Sequence, residues 1–507
     1  MGKQQSRAEY SRWTGFYIAG FCLVWWAAFS ISRHYLDGAD MVENFAWGQE
    51  WQWGTNKHPP LFSWIVAAWF SVFPATDWAY YLLNELNVGV SLWLLALAMR
   101  RVMPPEKVLA AVVLTSLGSH FGPDSGFKYN ANTAQLPFIA GYTWAMISAM
   151  ESHQRRWFAV AGIFAGAALL TKYYAVVLLA AIGVGLLISL RPSLQEWFKG
   201  MVLTGTIVAI LVLPHVIWSI RHGWPSLNYM HAAHEMTASV SSLRAYLIAF
   251  SGSIGFSIVS IFLWLSALYR LGTTSSVEIK KANVGINVLW LSMLLTMVAA
   301  WTENIDPVSS WMIPALMFLG WALVDLTPAK FDMSKLTQRL VKAGALYLGG
   351  VVIIAPLWEL RYRSYPAMPA YALPEKLAKD VSLYYRETYK QPVEYVSGTF
   401  PLSYDLAFYA PEHPHALYGM DIAQSTWIDR NALQSGNKLV ICGSLLFETI
   451  EDPDCQARAQ RLFGMSDQVR SFEYRVYDPK SNKVGLQIFK VLSWNPRKPW
   501  TLLDRIR

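Results

Sequence analysis

The chain has 507 residues, of which 54% are hydrophobic and only 15% charged, and its mean hydropathy is +0.26. Soluble domains usually carry about 25% charged residues. This deficit, with 24 Trp, 25 Tyr and 24 Phe, excludes a disordered chain and an ordinary soluble enzyme and points to a polytopic membrane protein.

A helix needs about 20 mostly apolar residues to cross a bilayer. Runs of that kind recur near 13–31, 78–99, 108–117, 133–150, 157–170, 173–190, 201–220, 245–269, 284–301, 310–324 and 343–360, which predicts a helical bundle of 11 spans. No small-residue cleavage site follows the first run, so it reads as an uncleaved anchor. The apolar stretch 61–73 is only about 20 Å long as a helix. It is expected to lie along the membrane surface within a long first outer loop, 32–77.

Charge placement orients the bundle. The alternate segments on the N-terminal side hold 17 Lys and Arg, the opposite loops hold six, and the remaining 19 of 42 lie beyond residue 360. By the positive-inside rule the N-terminus is cytoplasmic, and an odd number of spans places residues 361–507 outside. The net charge of +8 is thus a topology signal, and no nucleic-acid partner is expected. The expected location is a bacterial inner membrane with a periplasmic tail.

The chain divides on this reading into a membrane domain, 1–360, and a soluble α/β domain, 361–507. The tail has helix-like text at 375–389 and 456–463 and strand-like text at 393–397, 438–442, 471–477 and 485–492. Cys442 and Cys455 both fall in this oxidising compartment, either as a disulfide or as buried thiols. Three Cys in all exclude a multi-cysteine metal site. No G-x-G-x-x-G follows a strand and no Walker A sequence occurs, so no nucleotide cofactor is expected.

Ionisable and polar residues cluster on the expected outer side. At helical spacing Asp40, Glu43, Trp47 and Glu50 share a face, with Met41 and Phe45 turned elsewhere, toward lipid. Two prolines at 59 and 60 hold Lys57 and His58 near the bilayer surface. Lys128, Asn130 and Asn132 suit either a polar ligand or the capping of the next helix. Lys172 lies at the outer boundary between two apolar runs, where an ammonium snorkels or binds a lipid phosphate. His231 and His234 stand three apart, a spacing that serves a metal or an interface. A carboxylate can take a proton from an acceptor hydroxyl or amine, and a cation or metal can stabilise a departing phosphate. The pattern points to group transfer from a phosphate-linked lipid. Two alternatives are a transporter or flippase of such a lipid and a non-catalytic scaffold, although polar residues at the boundary rather than the midplane disfavour transport.

Taken in order, Asp40, Trp47-Gly48-Gln49, His58-Pro59-Pro60-Leu61, Asn130-Ala131-Asn132-Thr133 and Leu170-Thr171-Lys172 resemble the family-39 glycosyltransferases of the GT-C superfamily over roughly residues 13–325. That family includes the lipid A aminoarabinose transferases, rhizobial galacturonosyltransferases and bacterial protein mannosyltransferases. The resemblance implies inverting transfer of one sugar from a polyprenyl phosphate to a lipid A, lipopolysaccharide-core, other glycolipid or protein acceptor. It implies Asp40 as the catalytic carboxylate, with Glu43 as a substitute second acid. Lys172, with His58 or Lys57, would hold the donor phosphate, and Lys128, Asn130, Asn132 and Trp47 would line the substrate. A divalent metal ion, held by Asp40 and His234, is left open. The family's opening Asp-Glu is Asp40-Met41 here, Asn132 stands where many members have Asp, and Lys57 where some have a metal-binding Glu.

Overall fold

A computed structural model describes residues 2–33, 36, 38–124, 128–229, 243–269, 271, 283–303, 307, 309–328, 331–443, 453–479 and 481–496. The chain forms two compact units. One contains Met1–Phe29, Lys57–Phe62 and Tyr80–Ala355; the other contains Ser30–Asn56, Ser63–Ala79 and Pro356–Arg507. The expected boundary at 360/361 falls inside a helix, Met333–Arg363.

The first unit is helical. Its elements are α1 (Gly2–Ser32), the inner part of α4 (Asp77–Val102), α5 (Pro105–Ser116), a single turn α6 (Ala131–Ala134), α7 (Leu136–Ser152), α8 (Arg155–Thr171), α9 (Ala175–Leu190) and α10 (Leu194–Arg221). Then come α11 (Leu243–Tyr269), α12 (Val284–Thr302), α13 (Ile313–Leu316), α14 (Leu319–Leu326) and α15 (Met333–Arg363). Six described helices are long and apolar enough to cross a membrane. The pair Ser309–Leu316 and Leu319–Leu326, bent by 58°, makes a seventh if it counts as one span. The other four expected spans fall on α5, α7, α8 and α9, of 12, 17, 17 and 16 residues. At 1.5 Å per residue the shortest reaches roughly 18 Å, against a hydrocarbon core of about 30 Å.

Helix α8 packs on α7 and α10, and α9 on α12. Without a hydrophobic drive between helices in lipid, close approach depends on small residues. Gly162 of α8 is such a point: a Cβ there would stand 2.9 Å from the Thr204 carbonyl oxygen of α10.

The second unit joins helices from the first 79 residues to the tail. It holds α2 (Gly38–Gly48), most of α3 (Leu61–Phe70), α16 (Leu373–Tyr389), α17 (Leu402–Tyr409), α18 (Arg430–Ser435) and α19 (Pro453–Phe463). Six strands form one mixed sheet: β1 (Met368–Pro369), β2 (Tyr395–Gly398), β3 (His415–Ala416), β4 (Lys438–Cys442), β5 (Gln468–Asp478) and β6 (Lys483–Trp494), in the order β1-β5-β6-β4-β2-β3. The hairpin β5–β6 and the pair β4–β6 are antiparallel, and the other pairings are parallel. A disulfide between Cys442 and Cys455 ties β4 to α19 across a Cα separation of 5.8 Å. The expected mix of helices and strands in the C-terminal region is thus present as a sheet domain.

Gly398 ends β2 at φ +133°, and an added Cβ would overlap the Ile441 carbonyl of β4. Gly398→Ala is expected to destabilise the tail by about 1–3 kcal/mol from overpacking, with backbone strain in addition. Thermal unfolding of the full chain reads this, and an unshifted midpoint would refute it.

Candidate functional site

Helix α2 begins two residues before Asp40 and presents that carboxylate at an exposed position in its first turn. A negative charge there also complements the helix dipole. The rest of α2 differs from the expected acidic stripe. Glu43 is 2% exposed and Trp47 3%. Glu43 lies within electrostatic reach of the buried Tyr404 hydroxyl, whose pKa is raised first by burial and then by this charge. Met41 and Phe45, expected to rest on lipid, are buried as well. Phe45 meets Phe408 edge-on at 5.0 Å and Phe70 at 5.4 Å. A partner more than 350 residues away in sequence covers the face that local pattern assigned to the bilayer.

Beyond α2 the chain is fastened to the tail. Gln49 Nε2 donates to the His413 carbonyl at 3.1 Å, and Glu50 Oε1 meets His415 Nδ1 at 2.5 Å. The Glu50 contact raises the His415 pKa, which partial burial opposes and Glu394 supports. A folded pKa above the ordinary value near 6.5 means the ion pair's stabilisation is fully present below that value and fades as pH rises through the folded pKa. Amide exchange around residues 49–51, corrected for its intrinsic pH dependence, is therefore expected to be slower at pH 6 than at pH 9. His415→Gln should remove the difference, and its persistence in that variant would refute the assignment.

The cations gather in the first unit. The extended backbone of Lys172 (φ −158°, ψ 132°) breaks the helix between α8 and α9 and leaves its side chain half-buried. Its Nζ donates to Asn132 Oδ1 at 2.5 Å and lies 5.9 Å from the Tyr174 ring and 5.7 Å from the Trp311 ring. Lys57 Nζ lies 5.3 Å over Tyr229. Both lysines act on His58, whose pKa is pushed down to about 3, first by burial, then by Lys172, then by Lys57. At neutral pH His58 is therefore an uncharged imidazole, and the two ammonium groups carry the positive charge. A positive charge of this kind favours a nearby anion.

Asn132 is held in place by its neighbours. Asn130 Oδ1 accepts from the Asn132 and Thr133 backbone amides, Thr133 Oγ1 accepts from the Asn130 amide, and Asn87 Nδ2 donates to the Thr133 carbonyl at 2.8 Å. Asn130 thus acts as a helix cap, while Asn132 bears directly on Lys172. Lys128 gives its carbonyl to Thr133 Oγ1 at 2.7 Å, and partial burial lowers its pKa. Trp311, Tyr174 and Tyr229 were not singled out from sequence, because each reads there as part of an aromatic membrane-interface belt.

Among the described residues no group of three or more His, Cys, Asp and Glu comes together as a metal-ligand set. His231 and His234 lie outside the described residues.

The model of the dolichyl-phosphate-mannose-protein mannosyltransferase family matches residues 57–218. The lipopolysaccharide core galacturonosyltransferase RgtB of Rhizobium johnstonii is 25% identical over 325 residues, 59% of this chain and 63% of that protein. The match thus spans less than two thirds of that relative's length. The crystal structure of ArnT from Cupriavidus metallidurans bound to undecaprenyl phosphate superposes with a TM-score of 0.61 at 12% identity, covering 97% of this chain and all of that one. The chain has the GT-C fold. The apo ArnT structure agrees, with a TM-score of 0.59 at 14% identity over 95% of this chain. The GT-C resemblance read from the residues is borne out, as is a helical membrane protein with a C-terminal sheet domain.

Proposed function

We propose that this GT-C chain is an integral membrane glycosyltransferase. It moves a single sugar from a polyprenyl-phosphate donor to an envelope acceptor, a glycolipid or protein, at the outer face of the inner membrane. The observation that carries the reading is the pair of ammonium groups, Lys172 fixed by Asn132 and Lys57, around a neutral His58. These groups adjoin apolar helices, so a lipid phosphate can be bound while its isoprenoid tail stays in hydrocarbon. Undecaprenyl phosphate in ArnT and the lipopolysaccharide core acceptor of RgtB support both substrate classes by analogy.

In this reading Asp40 takes the proton from the acceptor hydroxyl or amine. The acceptor atom bonds to the anomeric carbon with inversion as the carbon–oxygen bond to phosphate breaks. Polyprenyl phosphate leaves with the bonding electrons, its charge met by Lys172 and Lys57 with a hydrogen bond from His58. Mass spectrometry of envelope glycolipids from a deletion strain tests the proposal. One missing sugar mass, restored by the wild-type gene, supports it; an unchanged glycolipid and glycoprotein profile counts against it.

A further inference from the structure

Helix α17 meets the first outer loop through two adjacent side chains. Phe408 packs on Phe45 at 5.0 Å and on Phe70 at 5.7 Å. The next residue, Tyr409, uses one phenol oxygen twice. It accepts the backbone amide of Leu36 at 3.2 Å and donates to Asp77 Oδ1 at 3.0 Å. Leu36 is 5% exposed and stands just before α2; Asp77 opens α4. A single hydroxyl from the tail therefore fastens both the entry to α2, which carries Asp40, and the first residue of α4.

The rest of α2 is held from the same side. Trp47 meets Trp427 at 6.2 Å, and residues 49 and 50 are fastened to His413 and His415. The Leu36 contact differs from these because it lies four residues before Asp40, on the N-terminal side of the helix. A buried amide left without its acceptor would seek another, and the entry to α2 would shift with it. Small displacements of a catalytic group cost rate steeply.

We propose that Tyr409 is a positioning residue: through the Leu36 amide and the Asp77 carboxylate it fixes where α2 begins and so where Asp40 stands. This rests on the reading of Asp40 as the catalytic carboxylate. The phenol touches neither substrate nor reacting atoms, so its loss should slow transfer and spare donor-phosphate binding.

The test uses the full-length chain in nanodiscs with undecaprenyl phosphate as the binding probe, and glycolipid transfer in a deletion strain at matched expression. Tyr409→Phe should speed amide exchange across 36–48 at least tenfold and lower the transfer rate at least tenfold. Its Kd for undecaprenyl phosphate should stay within twofold of wild type. Asp77→Asn, which keeps the acceptor, should behave as wild type, and Asp77→Ala should behave as Tyr409→Phe. Unchanged exchange or unchanged transfer in Tyr409→Phe overturns the proposal. So does a loss of probe affinity in step with transfer, which marks general unfolding. If Tyr409→Phe fails to fold, the Asp77 pair decides: equal rates for the Asn and Ala variants overturn it. A wild-type chain that transfers no sugar sinks the glycosyltransferase reading instead, and the exchange and binding arms, which need no turnover, tell the two failures apart.

Discussion

Asp40→Asn is expected to stop sugar transfer while the chain still folds, inserts and binds undecaprenyl phosphate. The side chain is exposed in the first turn of α2, so the amide fits without repacking. Loss of a charge at a helix N-terminus costs only about 0.3–1 kcal/mol. A positioned proton acceptor contributes about 10²- to 10⁴-fold to rate, and asparagine cannot accept that proton. The measurement is the yield of modified glycolipid at equal membrane expression, with probe binding as the control for folding. Transfer within a few-fold of wild type would remove Asp40 from the chemistry and the mechanism with it.

Lys172→Met should act on the other substrate property, donor affinity. Methionine keeps much of the length and apolar stem but loses the ammonium that donates to Asn132 and faces the Tyr174 and Trp311 rings. A hydrogen bond to a charged group is worth about 1.5–3 kcal/mol. At 1.4 kcal/mol per decade that is roughly a 10- to 150-fold weaker Kd for undecaprenyl phosphate. Lys172→Arg should keep more of the affinity than Met does, because the charge remains. Equal affinity in wild type and Lys172→Met would show that the phosphate is held elsewhere.

The residues that sequence exposed most clearly are those whose role is local. Lys438–Cys442 was legible to the residue as a strand, since a continuous apolar run bounded by turn residues can do little else. The helix around Asp40 was legible from spacing and spans 38–48. The lining of that helix was not, because Phe45 and Trp47 are covered by Phe408 and Trp427, and one sequence holds no signal for a contact that distant. The two-residue strands β1 and β3 exist only through their partners and carry no period of their own. At the cation cluster, Lys172 and His58 stood out as costly charges near lipid. The neutrality of His58 depends on lysines 57 and 172 acting together, which spacing along the chain does not reveal.

The second unit is discontinuous: Ser30–Asn56 and Ser63–Ala79 pack with Pro356–Arg507. A ribosome makes the two ends of this unit with some 276 residues between them. At about 5–20 residues per second the interval is roughly 15–55 s. For at least that time Phe45 and Trp47 lack their final cover from Phe408 and Trp427. A nascent segment in this state exposes apolar rings that invite chaperones and proteases, and a message truncated before codon 402 leaves them without Phe408 and Trp427 for good.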